Sequence, residues 1–562
     1  MLAKSRRHHL SILGLLVALG GCGVDTEAGL DSGPAPDAGP ANVAPVAAFT
    51  LLRNLPLTVA LDASTSSDDH GITAYAWDFG DGQTGTGETV EHTYSTSGCY
   101  QVTLVVSDAE DAQGQVQRTF RVITALGSDG SEVALEGMPL DGAVLPRDLE
   151  TNEATITLTG VVPTAEFEAV VVRLSRGFEI ESELRAELCG ERFILELPLA
   201  AERVERRIDV GLVGLGVGIT LASAENVMAG DVFIVNGQSN AVAGEFSGSA
   251  DENLSPFVRS FGSRTENVDV HRADGVWRRA EATGFRGAVG QWPLRMAAQL
   301  STRFSIPIAL INGARSGRPI GYFRRNDDDP EDATTNYGRL LDRTLRGGLL
   351  GKVRAILYYQ GESDGANAQA HHDGFVALHE HWRADYPGVE RFYVTQVRRG
   401  CGGQVATREV QRRFASELPN TSVMSTTGLN GHDGCHFAYA EGYRELGDRY
   451  ANLIARDLYG AEPEPDTEAV DVGEPRLEGN RIIVPTTGDA SGLVVEDGVE
   501  AFFTLSGGTR RVRAVRAEDS DLILELTDGS DPTGVAFIGH ARAGPWVTNR
   551  RGIGLLAFLL DL

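Results

Sequence analysis

Apolar and polar residues alternate in short runs over residues 46–122, most regularly in the segment 100–106, which reads Tyr-Gln-Val-Thr-Leu-Val-Val. Clusters of turn-forming residues separate these runs. Alternation with a period of two places successive side chains on opposite faces of a strand, so it predicts strands with one buried face. We therefore expect a small β-sandwich over residues 46–124.

Two further parts of the chain have the same β character. One is a β-rich domain expected over residues 130–229, in which no catalytic group of residues occurs, and the other is a C-terminal β domain over residues 476–562. The predicted strands are 154–159 and 193–197 in the first of these domains, and 481–484 and 522–526 in the second.

The pattern changes after Gly230, where short apolar segments alternate with segments of helical periodicity. This alternation is typical of a parallel α/β sheet. We therefore expect an α/β domain over residues 230–460, with helices on both faces of its sheet and β-sandwich domains on either side. The acidic, proline-containing segment 462–468 predicts a linker over residues 461–475. The predicted strands of the α/β domain are 232–235, 308–311, 355–359, 392–397 and 422–425, and the predicted helices are 292–304, 338–345, 375–385, 408–418 and 441–458.

The first 22 residues have the pattern of a targeting segment. Basic residues precede an apolar run over residues 10–19 that is too short to span a bilayer. The run leads into Gly-Gly-Cys22, which resembles a bacterial lipobox, so residues 1–22 are expected to be a lipoprotein signal peptide with Cys22 lipidated. Residues 23–45 are expected to be a flexible linker. These features predict a protein anchored in the bacterial cell envelope, at the outer membrane or cell surface, or a secreted protein if Cys22 is incidental.

The net charge of the chain limits the kinds of molecule that its folded part is expected to bind. The 562 residues include 50 Lys and Arg against 78 Asp and Glu, which gives a formal charge of −28. This charge opposes binding of nucleic acid or anionic lipid by the folded body. We therefore expect no nucleic-acid partner, and membrane contact only through the lipid anchor.

Four cysteines remain if Cys22 carries lipid, an even number that suits disulfides in an oxidising compartment. Cys401 and Cys435 fall in the same expected domain and are the favoured bridge, whereas Cys99 and Cys189 fall in different domains. The sequence has no Cys-x-x-Cys pair and no His-rich cluster, so it predicts no metal site.

Residues 230–241 contain the strongest candidate for a nucleophile. An apolar strand ends in Asn236-Gly237-Gln238-Ser239, which would present the Ser239 hydroxyl at the carboxyl edge of the sheet, where open α/β sheets bind ligands. A polar turn or a helix N-cap would explain an isolated serine equally well. The assignment therefore depends on partners elsewhere in the chain.

The segment Asp433-Gly434-Cys435-His436 supplies such partners. A serine hydroxyl needs a base within hydrogen-bond reach and a group that orients the base. Residues three apart on a turn can place both side chains on one side, so Asp433 can accept a hydrogen bond from His436 Nδ1 and leave Nε2 for Ser239. His432 is a rival base, but Leu429 stands where its carboxylate partner would be needed.

Two sets of motifs resemble known families. Trp-Asp-Phe-Gly-Asp-Gly at residues 77–82, with residues 92–94 and 98–102, is similar to a polycystic kidney disease (PKD) domain, a module that usually acts as a spacer or weak binding unit. The second set resembles the SGNH hydrolases, specifically their sialate O-acetylesterase-like branch, which includes carbohydrate esterase family 6. Its blocks occur in the family order at residues 230–240, 312–320, 358–364 and 433–436.

This second resemblance implies a flavodoxin-like sheet, a catalytic triad of Ser239, Asp433 and His436, and no cofactor. The oxyanion hole would be formed by the backbone N–H groups of Ser239 and Gly317 and by the side-chain amide of Gln360. The family usually has two adjacent glycines where this chain has a serine before Gly317. The residues expected to bind substrate are Gln238, Asn240, Glu362 and Arg315.

The implied reaction is hydrolysis of O-acetyl groups on sialic acid or on plant polysaccharides such as xylan, through an acetyl-serine intermediate, so the expected partner is an acetylated carbohydrate. Arg315 and Arg318 are candidates to bind a sialate carboxylate, although solvent-facing arginines would explain them as well. The main alternative is an inactive carbohydrate-binding or adhesive surface lipoprotein, because β modules flank the α/β domain. A short-chain lipase is a third possibility, although no long apolar lid segment is evident.

Overall fold

The structure is a computed structural model that describes residues 42–125, 133–162, 167–244, 247–284, 286–462, 465–487, 492–539 and 543–562. The predicted signal peptide, Cys22 and most of the predicted linker 23–45 lie outside the described residues. Within the described ranges, buried apolar side chains form four separate hydrophobic cores, and no helix is both long and apolar enough to cross a membrane.

The N-terminal domain is a β-sandwich, as the alternation predicts. Strands β1, β2 and β5 form one antiparallel sheet, and β4, β3, β6 and β7 form the other. Trp77, Leu104 and Phe120 belong to the core of this domain. The strands are β1 Thr50–Leu55, β2 Thr58–Asp62, β3 Ala74–Asp78, β4 Thr84–Thr86, β5 Thr89–Thr93, β6 Gly98–Ser107 and β7 Gln113–Val122.

The Asp-Gly turn of this domain is held by its own side chains. Asp78 Oδ1 accepts a hydrogen bond from Gly80 N at 2.9 Å, and Asp81 Oδ1 accepts one from Gln83 N at 3.0 Å. Asp81 Oδ2 also lies 2.9 Å from His92 Nε2. These bonds give the two carboxylates a structural role in a tight turn.

The second β domain has its own core between two groups of strands. Strands β13, β10 and β8 form one sheet, while β12, β11 and β14 lead into the long strand β15. The strands are β8 Ala134–Glu136, β9 Val144–Pro146, β10 Glu153–Val161, β11 Ala169–Arg176, β12 Glu179–Glu187, β13 Arg192–Ala200, β14 Arg206–Gly214 and β15 Val217–Gly237.

Strand β15 joins this domain to the α/β domain. Its first part pairs antiparallel with β14, and its last part, from Asp231, takes new parallel neighbours. The predicted domain boundary at residue 230 therefore falls inside a continuous strand. The disulfide between Cys99 and Cys189 links the first two domains, so the bridge that the sequence did not favour crosses between domains.

The α/β domain is built on a parallel sheet in the order β16, β18, β15, β19, β20, β21, with β17 antiparallel at one edge. Each predicted strand and helix of this domain overlaps an observed one, while the sequence does not predict the short strands β16 and β17. Helix α3 packs on α7, and α5 packs on α6. The elements are α1 Ser239–Val242, β16 Val258–Phe261, α2 Val268–Ala273, β17 Trp277–Arg279, α3 Gln291–Phe304, β18 Ile308–Asn312, α4 Asn336–Arg346, β19 Val353–Tyr359, α5 Ala368–Asp385, β20 Arg391–Thr395, α6 Val405–Glu417, β21 Thr421–Met424 and α7 Arg444–Tyr459.

The C-terminal β domain docks on the α/β domain. Gln396 Nε2 donates to Ala557 O at 2.9 Å, and Ala557 N donates to Gln396 Oε1 at 2.8 Å. The strands are β22 Asp471–Val472, β23 Arg476–Glu478, β24 Arg481–Thr487, β25 Val494–Val495, β26 Phe503–Ser506, β27 Val512–Glu518, β28 Asp521–Leu526, β29 Gly534–Phe537, β30 Val547–Thr548 and β31 Phe558–Asp561.

The segment predicted as a linker, 461–475, is packed over much of its length. Asp466, Val470 and Val472 are each at most 5% exposed. Asn549 Nδ2 donates to the carbonyl oxygens of Asp466 and Glu468, which satisfies backbone groups that a free linker would leave to water. The polar composition that predicts a linker therefore belongs to a docked connection.

A buried carboxylate accepts several hydrogen bonds at the start of the parallel sheet. Asp231 is 1% exposed at its side chain and accepts hydrogen bonds from Arg147 Nε at 2.9 Å, Arg354 Nη1 at 3.3 Å and the Tyr459 hydroxyl at 2.6 Å. Arg147 follows β9 of the second domain, whereas Tyr459 ends helix α7. Asp231 thus joins the second domain to both the sheet and the last helix.

We expect Asp231→Ala to lower the free energy of unfolding by about 3–5 kcal/mol, because it leaves the Arg147 guanidinium without a carboxylate and removes one of the two carboxylates that pair with buried Arg354. The control is Glu183→Ala, which removes one half of an exposed pair with Arg173 and should cost less than about 1 kcal/mol. Urea denaturation measures both. Equal losses of unfolding free energy in the two variants would contradict this stabilising role of Asp231.

Candidate functional site

The turn that carries the candidate nucleophile is packed against the end of β19. Gly237 has φ +129°, and a Cβ there would meet Tyr359 O at 2.1 Å, so only glycine fits. Gln238 N donates to Tyr359 O at 2.9 Å. Ser239, partly exposed, is the first residue of helix α1. The sequence and the backbone of β19 therefore fix the position of the serine at the carboxyl edge of the sheet.

Asn240 holds the site together. It is fully buried, and its Nδ2 donates to Glu362 Oε1 at 2.8 Å and to Cys435 O at 3.2 Å. Its Oδ1 accepts from the Tyr443 hydroxyl at 2.8 Å, and its carbonyl accepts from Trp292 Nε1 at 2.8 Å. These bonds use the whole side chain and give Asn240 a positioning role, while its expected contact with substrate stays a prediction.

Gln238 and Glu362 are also buried, at 3% and 5% exposure, and their expected contact with substrate stays a prediction. Gln238 Oε1 accepts from Ser363 N at 3.0 Å. Glu362 Oε1 is bound by Asn240, whereas Oε2 is buried with no hydrogen-bond partner among the described residues. Burial raises the pKa of Glu362 above its ordinary value, against the opposing effects of the Asn240 bond and of His436 and Arg398.

Asp433 and His436 lie side by side on the loop after β21. His436 Nδ1 is 3.4 Å from Asp433 Oδ2, and Asp433 Oδ1 accepts from the backbone N–H groups of Cys435 and His436, each at 2.7 Å. Burial alone would raise the pKa of Asp433, but these backbone bonds and His436 together lower it. The carboxylate is therefore charged and able to orient the imidazole.

The loop is held in place by residues that the sequence did not single out. Arg398, which follows β20, donates to Gly434 O, and its Nη2 lies 3.0 Å from His432 Nε2. Gly434 N donates to His432 Nδ1 at 3.1 Å, so both ring nitrogens of His432 are engaged within the loop. This arrangement does not favour His432 as the base. The position of Arg398 at the end of a parallel strand was the available signal.

A disulfide joins Cys401 to Cys435 and ties the loop after β20 to the loop that carries His436. On the other side of the site, Arg315 N donates to Gly237 O at 2.8 Å, which draws the turn after β18 towards the nucleophile strand. Gly317 lies on that turn with φ +69° and is exposed. This main-chain bond ties Arg315 to the residue two before Ser239, and the role of the Gly317 N–H as an oxyanion donor stays a prediction.

Gln360 is placed differently from the oxyanion role expected for it. It is fully buried, and its Nε2 donates to Asp364 Oδ2 at 2.8 Å and to Arg318 O at 3.3 Å. Asp364 Oδ2 also lies 2.7 Å from His371 Nδ1. Both amide hydrogens of Gln360 therefore have acceptors, which leaves none directed at an oxyanion in this conformation.

A cavity of about 590 Å³ opens beside the site, and its lining includes Val242 of α1 together with the turn after β18 and the loop after β16. This volume is in the range of small-molecule sites, about 300–1,000 Å³. Arg315 lines the cavity but is paired with Glu266, with 2.5 Å between Nη2 and Oε2. Arg264 also lines it, and its Nη1 is buried without a hydrogen-bond partner among the described residues. Burial, together with the charge of Arg315, lowers the pKa of Arg264 to about 10, so it is protonated at neutral pH.

Among the described residues, no group of three or more His, Cys, Asp or Glu side chains could hold a metal ion. The connections joined by the Asn240–Cys435 bond carry a serine, Ser239, and an imidazole, His436, that lies beside the Asp433 carboxylate. These are the parts required for acyl transfer.

The raised pKa of Glu362 predicts a pH-dependent difference between the wild type and Glu362→Gln. The unfolded state ionises near the ordinary pKa and the folded state only at higher pH, so wild-type stability falls as pH rises through that interval. Glutamine keeps the acceptor for Asn240 and does not ionise. The variant should therefore gain stability relative to the wild type between about pH 4 and pH 7.5. Urea denaturation at both pH values measures the free energy of unfolding of each protein. A difference between variant and wild type that is the same at both pH values would contradict the prediction.

Comparisons with known proteins identify two of the domains. Residues 42–123 match the PKD domain family, and residues 229–456 match the family described as carbohydrate esterase, sialic acid-specific acetylesterase. The pre-pro-metalloprotease PrtV of Vibrio cholerae is 40% identical over 83 residues, which cover 15% of this chain and 9% of that protein. A microbial collagenase of Vibrio alginolyticus is 35% identical over 88 residues, covering 16% and 10%. The chain thus spans about a tenth of the length of the curated relatives it matches.

A crystal structure of a carbohydrate acetylesterase from Xanthomonas citri matches with a TM-score of 0.52 at 18% identity, covering 76% of this chain and 99% of that one. At this identity the likeness shows a shared fold. The two family matches agree with the motifs at residues 77–82 and 230–240. The chain therefore carries a PKD domain at residues 42–123 and, at residues 229–456, a domain of the sialic acid-specific acetylesterase family of carbohydrate esterases.

Proposed function

We propose that the α/β domain is an SGNH-type serine esterase that removes O-acetyl groups from carbohydrates. One observation carries this proposal: Asn240 Nδ2 donates to Cys435 O at 3.2 Å. Ser239 precedes Asn240 and His436 follows Cys435 in the chain, so this bond brings the candidate nucleophile and base to neighbouring positions. Asp433, beside His436, completes the triad.

In the proposed reaction, His436 Nε2 takes the proton of the Ser239 hydroxyl as Oγ attacks the acetyl carbonyl carbon. The tetrahedral intermediate collapses as the sugar oxygen leaves with that proton, and Ser239 remains acetylated. Water then attacks the acetyl-serine, His436 again moves the proton, and acetate is released. Asp433 stabilises the imidazolium that forms in each step.

The proposed oxyanion donors are the backbone N–H groups of Ser239 and Gly317. Ser239 N lies at the start of α1, where the first N–H groups of a helix have no partner within the helix. Gln360 supports the site in the described conformation by holding the turn at Arg318 and the side chain of Asp364. Donors of this kind each contribute a factor of about 10²–10³ in rate.

The cavity favours an acidic sugar, such as a sialic acid, over a neutral polysaccharide such as xylan. Arg264 is a protonated guanidinium that lines the cavity, and its Nη1 is buried with no hydrogen-bond partner in the described part of the chain. A buried charged donor without an acceptor is costly, and a substrate carboxylate would remove that cost. Arg315, the arginine that the sequence indicated, is already paired with Glu266.

The protein is also proposed to be exported and lipid-anchored at Cys22. The basic and apolar pattern of residues 1–22 and the two disulfides, which suit an oxidising compartment, support this proposal. An inactive carbohydrate-binding surface protein remains the alternative function; the Asp433–His436 pair and the Asn240–Cys435 bond argue against it.

Ser239→Ala should lower kcat/KM for acetate release from acetylated sialosides by about 10⁴-fold or more, because the acetyl-serine cannot form. Release of acetate by the purified protein is the measurement, with acetylated xylan and a lipid ester as comparison substrates. Ser247→Ala, at an exposed serine on the same connection, is the matched control and should keep full activity. Undiminished turnover by Ser239→Ala would exclude this nucleophile, and no turnover of any acetyl ester by the wild type would favour the binding protein.

Arg264→Gln should raise KM about 10- to 100-fold for an acetylated sugar that bears a carboxylate, because a charge-assisted hydrogen bond is lost. Hydrolysis of a neutral acetylated sugar should change little. Glu266→Gln should act in the opposite direction, since it removes the negative charge that competes for Arg315 and Arg318. Equal effects of Arg264→Gln on both substrates would show that Arg264 has only a structural role.

A further inference from the structure

A second, smaller cavity lies where the α/β domain meets the C-terminal domain. Its volume is about 20 Å³. Three arginines line it, Arg398, Arg399 and Arg408, and the described part of its lining contains no aspartate or glutamate. Gly539 and Trp546 contribute from the C-terminal domain. The cavity is therefore lined by positive charge and lies at a domain junction.

Arg408, on helix α6, is the most buried of the three cations. It is 3% exposed, its Nε has no hydrogen-bond partner in the described part of the chain, and it forms no ion pair there. Burial and the charges of Arg399 and Arg398 lower its pKa to about 9, so it carries its charge at neutral pH. One turn further along α6, the charge of Arg412 is neutralised by ion pairs with Glu409 and Asp471.

The remaining groups in the lining do not supply a counter-charge. Arg399 Nη1 donates to Gly539 O at 3.1 Å, and Thr426 Oγ1 donates to Gln396 O at 3.0 Å. A cavity of this volume holds one particle about the size of a water molecule. Water does not neutralise a buried guanidinium, whereas a monoatomic anion of similar size does.

We propose that this cavity is a structural site for one small monovalent anion of halide size, held by Arg408 and Arg399. Arg398 lines the same cavity and donates to Gly434 O, between Asp433 and Cys435. The anion therefore stabilises the domain junction and, through Arg398, the loop that carries Asp433 and His436.

The test compares thermal unfolding of the full chain in sodium chloride and in sodium gluconate at the same ionic strength, because gluconate is too large for the cavity. Chloride should raise Tm by about 3 °C for each tenfold increase above its dissociation constant, with no such rise in gluconate. Arg408→Met should abolish the difference between the salts and fold at least as stably as the wild type in gluconate. Arg413→Gln, at an exposed position on the same helix, should keep the chloride response.

If Arg408→Met fails to fold, Arg399→Gln serves as the second variant and should show a weakened chloride response. Crystals grown in sodium bromide give a direct readout, with an anomalous scattering peak expected beside Arg408. The same wild-type Tm in both salts, or water in place of bromide at Arg408, would overturn the proposal. None of these measurements depends on esterase activity, so their outcome is separate from that of the proposed function.

Discussion

The parallel pairing of β15 with β18 and β19 is the constraint on which the site depends. The registers that place Val235 opposite Asn312 and Gly237 opposite Tyr359 align the carboxyl ends of three strands at one edge of the sheet. Every candidate group then comes from a short connection that leaves this edge or from the loops after the next two strands. The missing side chain at Gly237 is what allows the serine turn to lie against the backbone of β19.

Polar side chains, rather than apolar packing, hold these connections together. Asn240 bonds to Glu362 after β19, to Cys435 and Tyr443 between β21 and α7, and to Trp292 at the start of α3. It therefore joins two connections and one helix around a single residue. A satisfied buried network of this kind specifies one geometry, because loss of any partner leaves a buried polar group exposed to an apolar environment. Glu362 Oε2 is the exception in this network, because it has no hydrogen-bond partner among the described residues, and it lowers stability next to the candidate catalytic residues.

The sequence predicts the features that depend on local pattern. Periodicity located the strands and helices of the α/β domain, and the residue types at the strand ends indicated Ser239, Asp433 and His436. It predicted less well wherever a role depends on distant partners. Asn240 and Gln238 beside a nucleophile suggested substrate contact, and only the fold shows that both are buried. The same holds for Arg264, whose Nη1 has no hydrogen-bond partner among the described residues, and for Cys189, whose disulfide partner lies in another domain.

The unpaired arginines show how uncompensated charge distinguishes functional positions in a strongly acidic chain. Several buried arginines pair with carboxylates, as Arg354 does with Asp231 and Glu390, whereas Arg343 donates to the carbonyl oxygens of Phe261 and Asn312. A guanidinium nitrogen that is buried with neither kind of partner among the described residues therefore needs a separate physical cause. Arg264 opens onto a large cavity beside the serine, which suits an exchanging substrate. Arg408 lines a cavity with the volume of about one water molecule at a domain junction, which suits a permanently bound ion. A buried guanidinium without a carboxylate can thus be neutralised by an exchanging substrate or by a bound ion. The volume of the adjoining cavity determines which of the two fits.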